Sequence, residues 1–309
     1  MTTVRSIGLA LSLLLALAAS GAPLVAQTAA DAVQLCESAG GAMGGCTLRA
    51  FTAEGVLAAL SGAAVAGSPI LGGATTLGQR VGGGPRMALF GFVRRTGASI
   101  PGLADSTFGP VDFAVTSWSA GAAVGLFEGV RIMPTVGGFF SVDAFVHAAW
   151  MSLPGEDFDT DPFSLTVGTR VGILREGFSV PGISLSVSRS FVGAVEVASG
   201  PLRVDPSVTA LRATIGKDVG GFELLGGWGW DDRSADVTIT ESTAGVLSAA
   251  LEDNRQQWFV GVAKTFSIVL TLGVEVGRIQ GGDPAVSGNA SYDRESGRWF
   301  GTVFARLTS

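Results

Sequence analysis

A two-residue rhythm constrains this chain most. It recurs from Gly84 onward, with no helix-length run of large apolar side chains to compete with it. "VPGISLSVSRSFVG", residues 180–193, shows it in its plainest form: Ser184, Ser186, Ser188 and Ser190 alternate with Ile183, Leu185, Val187 and Arg189. Period two puts the two sets on opposite faces of a strand. A strand facing water normally carries Lys, Glu and Thr on its polar side. Bare serines opposite aliphatic residues fit a strand with lipid on one face and a narrow polar interior on the other. Arg189 shares the aliphatic parity and reads as a side chain near the outer rim, snorkelling to headgroups.

Ten such segments are predicted: 85–95, 110–127, 131–151, 162–175, 181–193, 205–217, 220–234, 255–266, 268–280 and 296–308. Most match, or somewhat exceed, the ~9–11 residues with which a tilted strand crosses a bilayer. Between them short connections ("EGV", "EGFSV", "DV", and segments nearly abutting at Ser267) alternate with long ones. The long ones are "TGASIPGLADSTFG", "SLPGEDFDTD", "AVEVASGPLRV", "SADVTITESTAGVLSAALEDN" and "GGDPAVSGNASYDRE". This alternation predicts an all-β, up-and-down antiparallel transmembrane β-barrel of about ten strands, with short periplasmic turns, long extracellular loops and both barrel ends in the periplasm.

Composition agrees. Charged residues make up 15% of the chain and hydrophobic ones 47%, and there are 46 glycines. With a formal net charge of −6 there is no basic stripe to neutralise phosphates, which excludes a nucleic-acid partner. Residues 1–26 carry Arg5, an apolar run from Ile7 to Ala19 and small residues up to Ala26, the pattern of a secretory signal peptide. Residues 27–84 form an N-terminal extension and 85–309 the barrel. Within the extension, Cys36 and Cys46 close a glycine-rich loop as a disulfide, as an even pair in an exported chain implies. "TAEGVLAALSGAAVAG", 52–67, reads as a helix after a Thr52 N-cap. Two placements compete for it, under the barrel in the periplasm or as a plug inside it.

Strand parity sorts the side chains. Trp150, Trp228, Trp230, Trp258 and Trp299 fall on lipid-facing positions at the extracellular ends of their strands, as an aromatic girdle does. Trp118 joins them only if a bulge near Thr116–Trp118 switches parity, since Val111, Phe113 and Val115 are odd while Val124 and Leu126 are even. The inward set holds most of the strand charges: Asp143, His147, Arg170, Arg212, Glu223, Asp231, Glu275, Arg298 and Arg306. Two uses are open to them: a salt-bridge ladder that fills the barrel, or a polar track for ions or a small solute with Arg170 and Arg212 facing Glu223 and Glu275. No catalytic constellation accompanies them. The one histidine, His147, has Phe145 and Ala149 two residues away, where a nucleophile or orienting acid would have to stand. No zinc constellation, phosphate loop or cofactor motif is present, and "EDFDTD", 156–161, reads as a solvated acidic loop.

"TVGGFFSVDAFVHAAW", "VPGISLSVSRSFVG", "LRATIGKDVGGFELLGGWGWDD" and "RWFGTVFARLTS" together resemble the outer-membrane β-barrel superfamily of Gram-negative bacteria. The resemblance covers about residues 85–306 and concerns architecture rather than activity. The family's usual terminal aromatic is replaced by Leu307-Thr308-Ser309. It implies location in the bacterial outer membrane, with outer-membrane lipid, lipopolysaccharide and the barrel-assembly machinery as partners. The function expected is a narrow passive pore or a barrel handling small solutes or lipophiles, without enzymatic activity. The alternatives are a structural or adhesion barrel with a closed lumen and interacting loops and, last, a lipid hydrolase.

Overall fold

The computed structural model describes residues 28–309 except 79–83, 102–109, 131–138, 155–157, 159–160, 198–200, 242–244, 267–268 and 282–296. The signal-peptide reading, most of the acidic loop at 156–161 and the connection at 282–296 lie outside the described residues. The described residues form eleven strands: β1 (Met87–Pro101), β2 (Pro110–Phe127), β3 (Ser141–Ser152), β4 (Phe163–Leu174), β5 (Gly182–Val192), β6 (Val195–Val197), β7 (Leu202–Val219), β8 (Phe222–Glu241), β9 (Gly245–Thr265), β10 (Leu270–Ile279) and β11 (Arg298–Thr308). Each pairs antiparallel with its neighbours. β1 pairs with β11 and β5 with β7, which closes a ten-stranded barrel and leaves the short β6 as an addition to the outer end of β7.

The start of β1, the end of β11 and the turn at Gly220–Gly221 share one end, which the connection pattern assigns to the periplasm. Two connections depart from the strict short–long alternation. Residues 128–140 between β2 and β3 are longer than "EGV", because β3 begins only at Ser141, with a bridge between Val130 and Phe139 in between. The expected long loop at 234–254 is instead strand over 234–241 and 245–254. β8 and β9 run on beyond the girdle, in unbroken register to Glu241 and Gly245. The alternation in "DVTITE" was the local signal for it. Its apolar face turns to protein rather than lipid, since Ala235, Val237, Ile239 and Leu251 are buried.

The protein that buries them is the N-terminal extension. Helix α1 (Ala29–Ser38) begins at a reciprocal cap in which Asp31 N donates to Thr28 Oγ1 at 3.3 Å and Thr28 N donates to Asp31 Oδ2 at 2.8 Å. Helix α2 (Met43–Val65) starts earlier than the expected 52–67. Thr52 is therefore a buried mid-helix residue and not the N-cap, which is Ala42. A polar Thr before a run of helix formers imitates a helix start, while Gly44 and Gly45 disguise the real first turn. Helix α2 is long and apolar enough to span a membrane by length and composition, but it is enclosed by the strands. A helix apolar all round has to be surrounded, and here the barrel surrounds it.

Phe113 and Val115 are explained by the same packing, while Val111 is exposed. β1 and β2 pair in unbroken register from Met87–Val124 to Pro101–Pro110, so no bulge lies at Thr116–Trp118, and the irregularity sits at Gly125/Phe127. Trp118 is outward by simple alternation. Val115 is buried and Phe113 half-buried because the interior at that height is apolar, lined to receive the helices.

Reducing the Cys36–Cys46 disulfide, which ties α1 to the first turns of α2, is expected to free α1 while leaving the barrel intact. Closing so short a loop stabilises by roughly 2–3 kcal/mol. Hydrogen exchange should then rise across residues 29–38 and stay slow in β1–β11. The cap adds a pH dependence. Asp31 is held below the ordinary carboxyl value, first by the Thr28 backbone N–H and then by the Thr28 hydroxyl. Its contribution is therefore present above the unfolded carboxyl value and is lost as pH falls through the folded one. Protection against exchange at residues 29–38, relative to the intrinsic rate, should fall in that acidic window, and Asp31→Asn should remove the pH dependence.

Candidate functional site: the occupied lumen

The site is the lumen wall and the segment that runs through it. Helix α1 and the first half of α2 lie among the outer ends of the strands, in one buried cluster with Ile100, Val115, Leu153, Val197, Leu202 and Ile239. Helix α2 ends near mid-barrel at Val65, and Gly67, at φ 76°, provides the left-handed turn that stops it. From there residues 66–78 continue to the inner end, where Thr76 Oγ1 and Ser141 Oγ hydrogen-bond at 2.5 Å at the start of β3. The chain thus passes through its own barrel from the outer end to the inner one before β1 begins. Close fit requires small side chains: a Cβ on Gly62 would stand 3.0 Å from both Ile279 Cδ1 and Thr96 Cγ2.

A helix that ends in a closed interior leaves carbonyls that water cannot reach. Two wall arginines satisfy them. Arg94 Nη1 donates to Ala63 O at 3.3 Å and to Ala64 O at 3.4 Å, and its Nε donates to Thr302 Oγ1 at 3.2 Å. Arg212 Nη2 donates to Val65 O at 2.7 Å and Arg212 Nε to Gly67 O at 3.1 Å. Both cations sit at the negative end of the helix dipole, the favourable sign. Arg212 is also paired with Asp231 at 2.5 Å, and Asp231 in turn meets Arg233 at 3.2 Å and accepts from Gln257 Nε2 at 2.8 Å.

Below the helix the extended segment is held in the same manner. Gly67 N donates to Gln257 Oε1 at 2.7 Å and Ser68 N to Glu275 Oε1 at 3.0 Å. Arg306 Nη1 donates to Leu71 O at 3.0 Å, and Arg170 Nη1 to Gly73 O at 2.9 Å. Leu77 N donates to both Asp143 oxygens, at 3.1 and 2.9 Å, and Asp143 is ion-paired with Arg170 at 2.8 Å. Glu223 stands beside Arg306 against Gly73, where an added Cβ would lie 3.0 Å from Glu223 Oε1 and from Arg306 Nη1. The outer half has its own ion pairs, Arg255 with Glu54 at 3.8 Å and with Asp253 at 2.6 Å.

Asp143, Arg170, Arg212, Glu223, Glu275 and Arg306 thus all line the interior, but their partners differ from the expected ones. Arg170 pairs with Asp143 and Arg212 with Asp231, not with Glu223 and Glu275. The reason is the occupant: the wall charges address backbone N–H and C=O groups of residues 63–77 rather than one another across open space. His147 is buried between rings, its centroid 5.6 Å from Phe92 and 6.4 Å from Phe90. Arg298 is at the outer rim, 3.7 Å from Asp112. The sequence reading omitted Arg94 and Gln257. Arg94 shares parity with Phe90 and Phe92, and a row with two phenylalanines resembles a lipid face.

The serine row is interior as well. Ser184, Ser186, Ser188 and Ser190 are buried, with Ser184 hydrogen-bonded to Thr214 at 2.7 Å and Ser190 to Thr166 at 3.0 Å. Where this wall meets residues 64–69 a void of about 10 Å³ remains, beside His147, Ser188 and Arg212, about enough for a single water. On the outside, Trp118, Trp150, Trp230, Trp258 and Trp299 are exposed, and Trp228 is half-buried against Trp230. Trp118 lies opposite Trp150 and Trp228 opposite Trp258, which makes a belt at one height. Arg189 is half-buried beside Phe191, 5.6 Å from its ring centroid.

A closed antiparallel barrel with an apolar, tryptophan-banded exterior and its strand charges turned inward has the build of a membrane-spanning β-barrel. Among solved structures the chain is similar to the translocator domain of the autotransporter NalP from Neisseria meningitidis, at 12% identity and a TM-score of 0.41 over 73% of this chain and 88% of that one. It is also similar to the transport unit of the autotransporter AIDA-I from Escherichia coli, at 10% identity and 0.41 over 83% and 98%. A third likeness is to Ail, the attachment invasion locus protein of Yersinia pestis, at 9% identity and 0.33 over 73% and 98%. No family model matches the chain, and no curated protein matches it.

Proposed function

We propose that the protein is a plugged barrel that serves as an outer-membrane anchor, its lumen closed by its own N-terminal segment and its working surface on the outer cap. That cap consists of α1, the first half of α2 and the sheet β6–β7–β8–β9 that rises beyond the girdle. The observation that carries this reading is the occupancy of the lumen. Residues 63–77 are held at both depths by Arg94, Arg212, Glu275, Asp143 and Arg170, so the segment takes up the space a solute path would need. This favours the closed, surface-presenting alternative over the narrow pore. The reading involves no catalytic step, in keeping with the setting of His147 between two phenylalanine rings.

Planar bilayers test it. The intact protein, inserted with its disulfide formed, is expected to give no discrete conductance steps at moderate voltage. Regular steps from the intact chain would return the pore to first place.

A further inference from the structure

A second concavity lies on the lipid-facing side of the barrel near the inner rim, with a volume of about 390 Å³. Its apolar walls come from Val262, Val274 and Val303, outward residues of three consecutive strands that face one another in register. Between Leu272 and Val274 the floor is sheet backbone at Gly273, whose inner side is packed against Phe304 and Ala263. At the inner end stands Lys264, directly opposite Phe222 on one neighbour and Leu272 on the other. Its Nζ is 4.8 Å from the Phe222 ring centroid and 5.7 Å from that of Phe266.

We propose that this groove binds one phospholipid of the inner leaflet, its acyl chain along the valine row and its phosphate on Lys264 Nζ. A cation on the lipid face reaches the interface and seeks an anion there. Among the described residues no carboxylate lies within ion-pair distance of Lys264. The two rings hold the exposed ammonium at the head of the trough by cation–π contact. One cation heading an apolar trough matches an amphiphile with an anionic head. Inorganic phosphate would leave the trough unused, and a neutral amphiphile would leave the lysine unused. The depth follows from the turn at Gly220–Gly221, next to Phe222, at the end where β1 begins and β11 finishes.

The full chain, purified in non-ionic detergent and delipidated, should retain one added phosphatidylglycerol in native mass spectrometry. Lys264→Gln is expected to weaken that binding about fivefold, the effect of one basic residue at a membrane surface. Val274→Trp, which fills the trough and keeps the charge, should lower occupancy as well. Lys217→Gln, at the same rim but 3.7 Å from Glu176, should leave it unchanged. Equal lipid occupancy in wild type and Lys264→Gln would overturn the proposal. So would displacement of the lipid by inorganic phosphate, which would reduce the site to a surface charge.

Discussion

Deleting residues 28–78 is expected to turn a silent barrel into a conducting one. The wall does not need the segment to stay closed as a sheet, since β1 pairs with β11 and β5 with β7 along their lengths. It does need the segment to fill its interior. Without it, Arg94, Arg212, Arg170 and Arg306 on one hand and Asp143, Asp231, Glu223 and Glu275 on the other face water, in a lumen whose wall also carries serines, threonines and phenylalanines. Discrete conductance should appear, and Arg212→Ala or Glu223→Ala in that background should shift its ion selectivity, because a ring charge sets the field that an ion crosses. The apolar inner faces of β7–β9 beyond the girdle would be exposed at the same time. The deleted protein should therefore aggregate more readily in detergent, with Ile239 and Leu251 as the sticky surface.

Arg212→Ala in the full chain should release the segment without unfolding the barrel. The guanidinium holds Val65 O, Gly67 O and the Asp231 carboxylate together, and none of these is reached by solvent. Removing one partner of a buried pair commonly costs about 3–5 kcal/mol, since the remaining charge stays buried. Arg233 and Gln257 remain to hold Asp231, which places the loss at the lower end of that range. The weakness should appear locally, because the strand ladders are independent of the residue. Amide exchange at residues 60–68 is expected to rise about a hundredfold, while β3–β5 stay protected. Brief conductance openings should accompany it. Unchanged exchange at residues 60–68 would mean that the apolar packing of α2 alone seats the segment.

The barrel was readable because its causes are local. Lipid on one face and a polar interior on the other impose period two on each strand, and "VPGISLSVSRSFVG" shows both faces without any knowledge of its neighbours. Parity placed Asp143, Arg170, Arg212, Glu223, Glu275 and Arg306 on the inside for the same reason. Their partners were not readable. Which carboxylate meets Arg212 depends on barrel closure, and which carbonyls it caps depends on where α2 ends inside the barrel, both long-range facts. The outer cap failed for a different reason. There the interior is apolar, so Phe113 and Val115, taken for lipid-facing, and residues 235–239 and 251, taken for loop, follow a reversed rule, with apolar side chains pointing inward. One available cue was overlooked, the Thr28–Asp31 reciprocal cap that starts α1.

The claim on which the rest depends is that the N-terminal segment enters the barrel from outside. Epitope insertion on intact cells tests it most directly, at two turns with open space around them, Gly40 between α1 and α2 and Gly220 between β7 and β8. Antibody should stain intact cells carrying the Gly40 insertion, and should reach the Gly220 insertion only after the outer membrane is permeabilised. Staining of the Gly220 insertion on intact cells, with the Gly40 insertion hidden, would contradict the account.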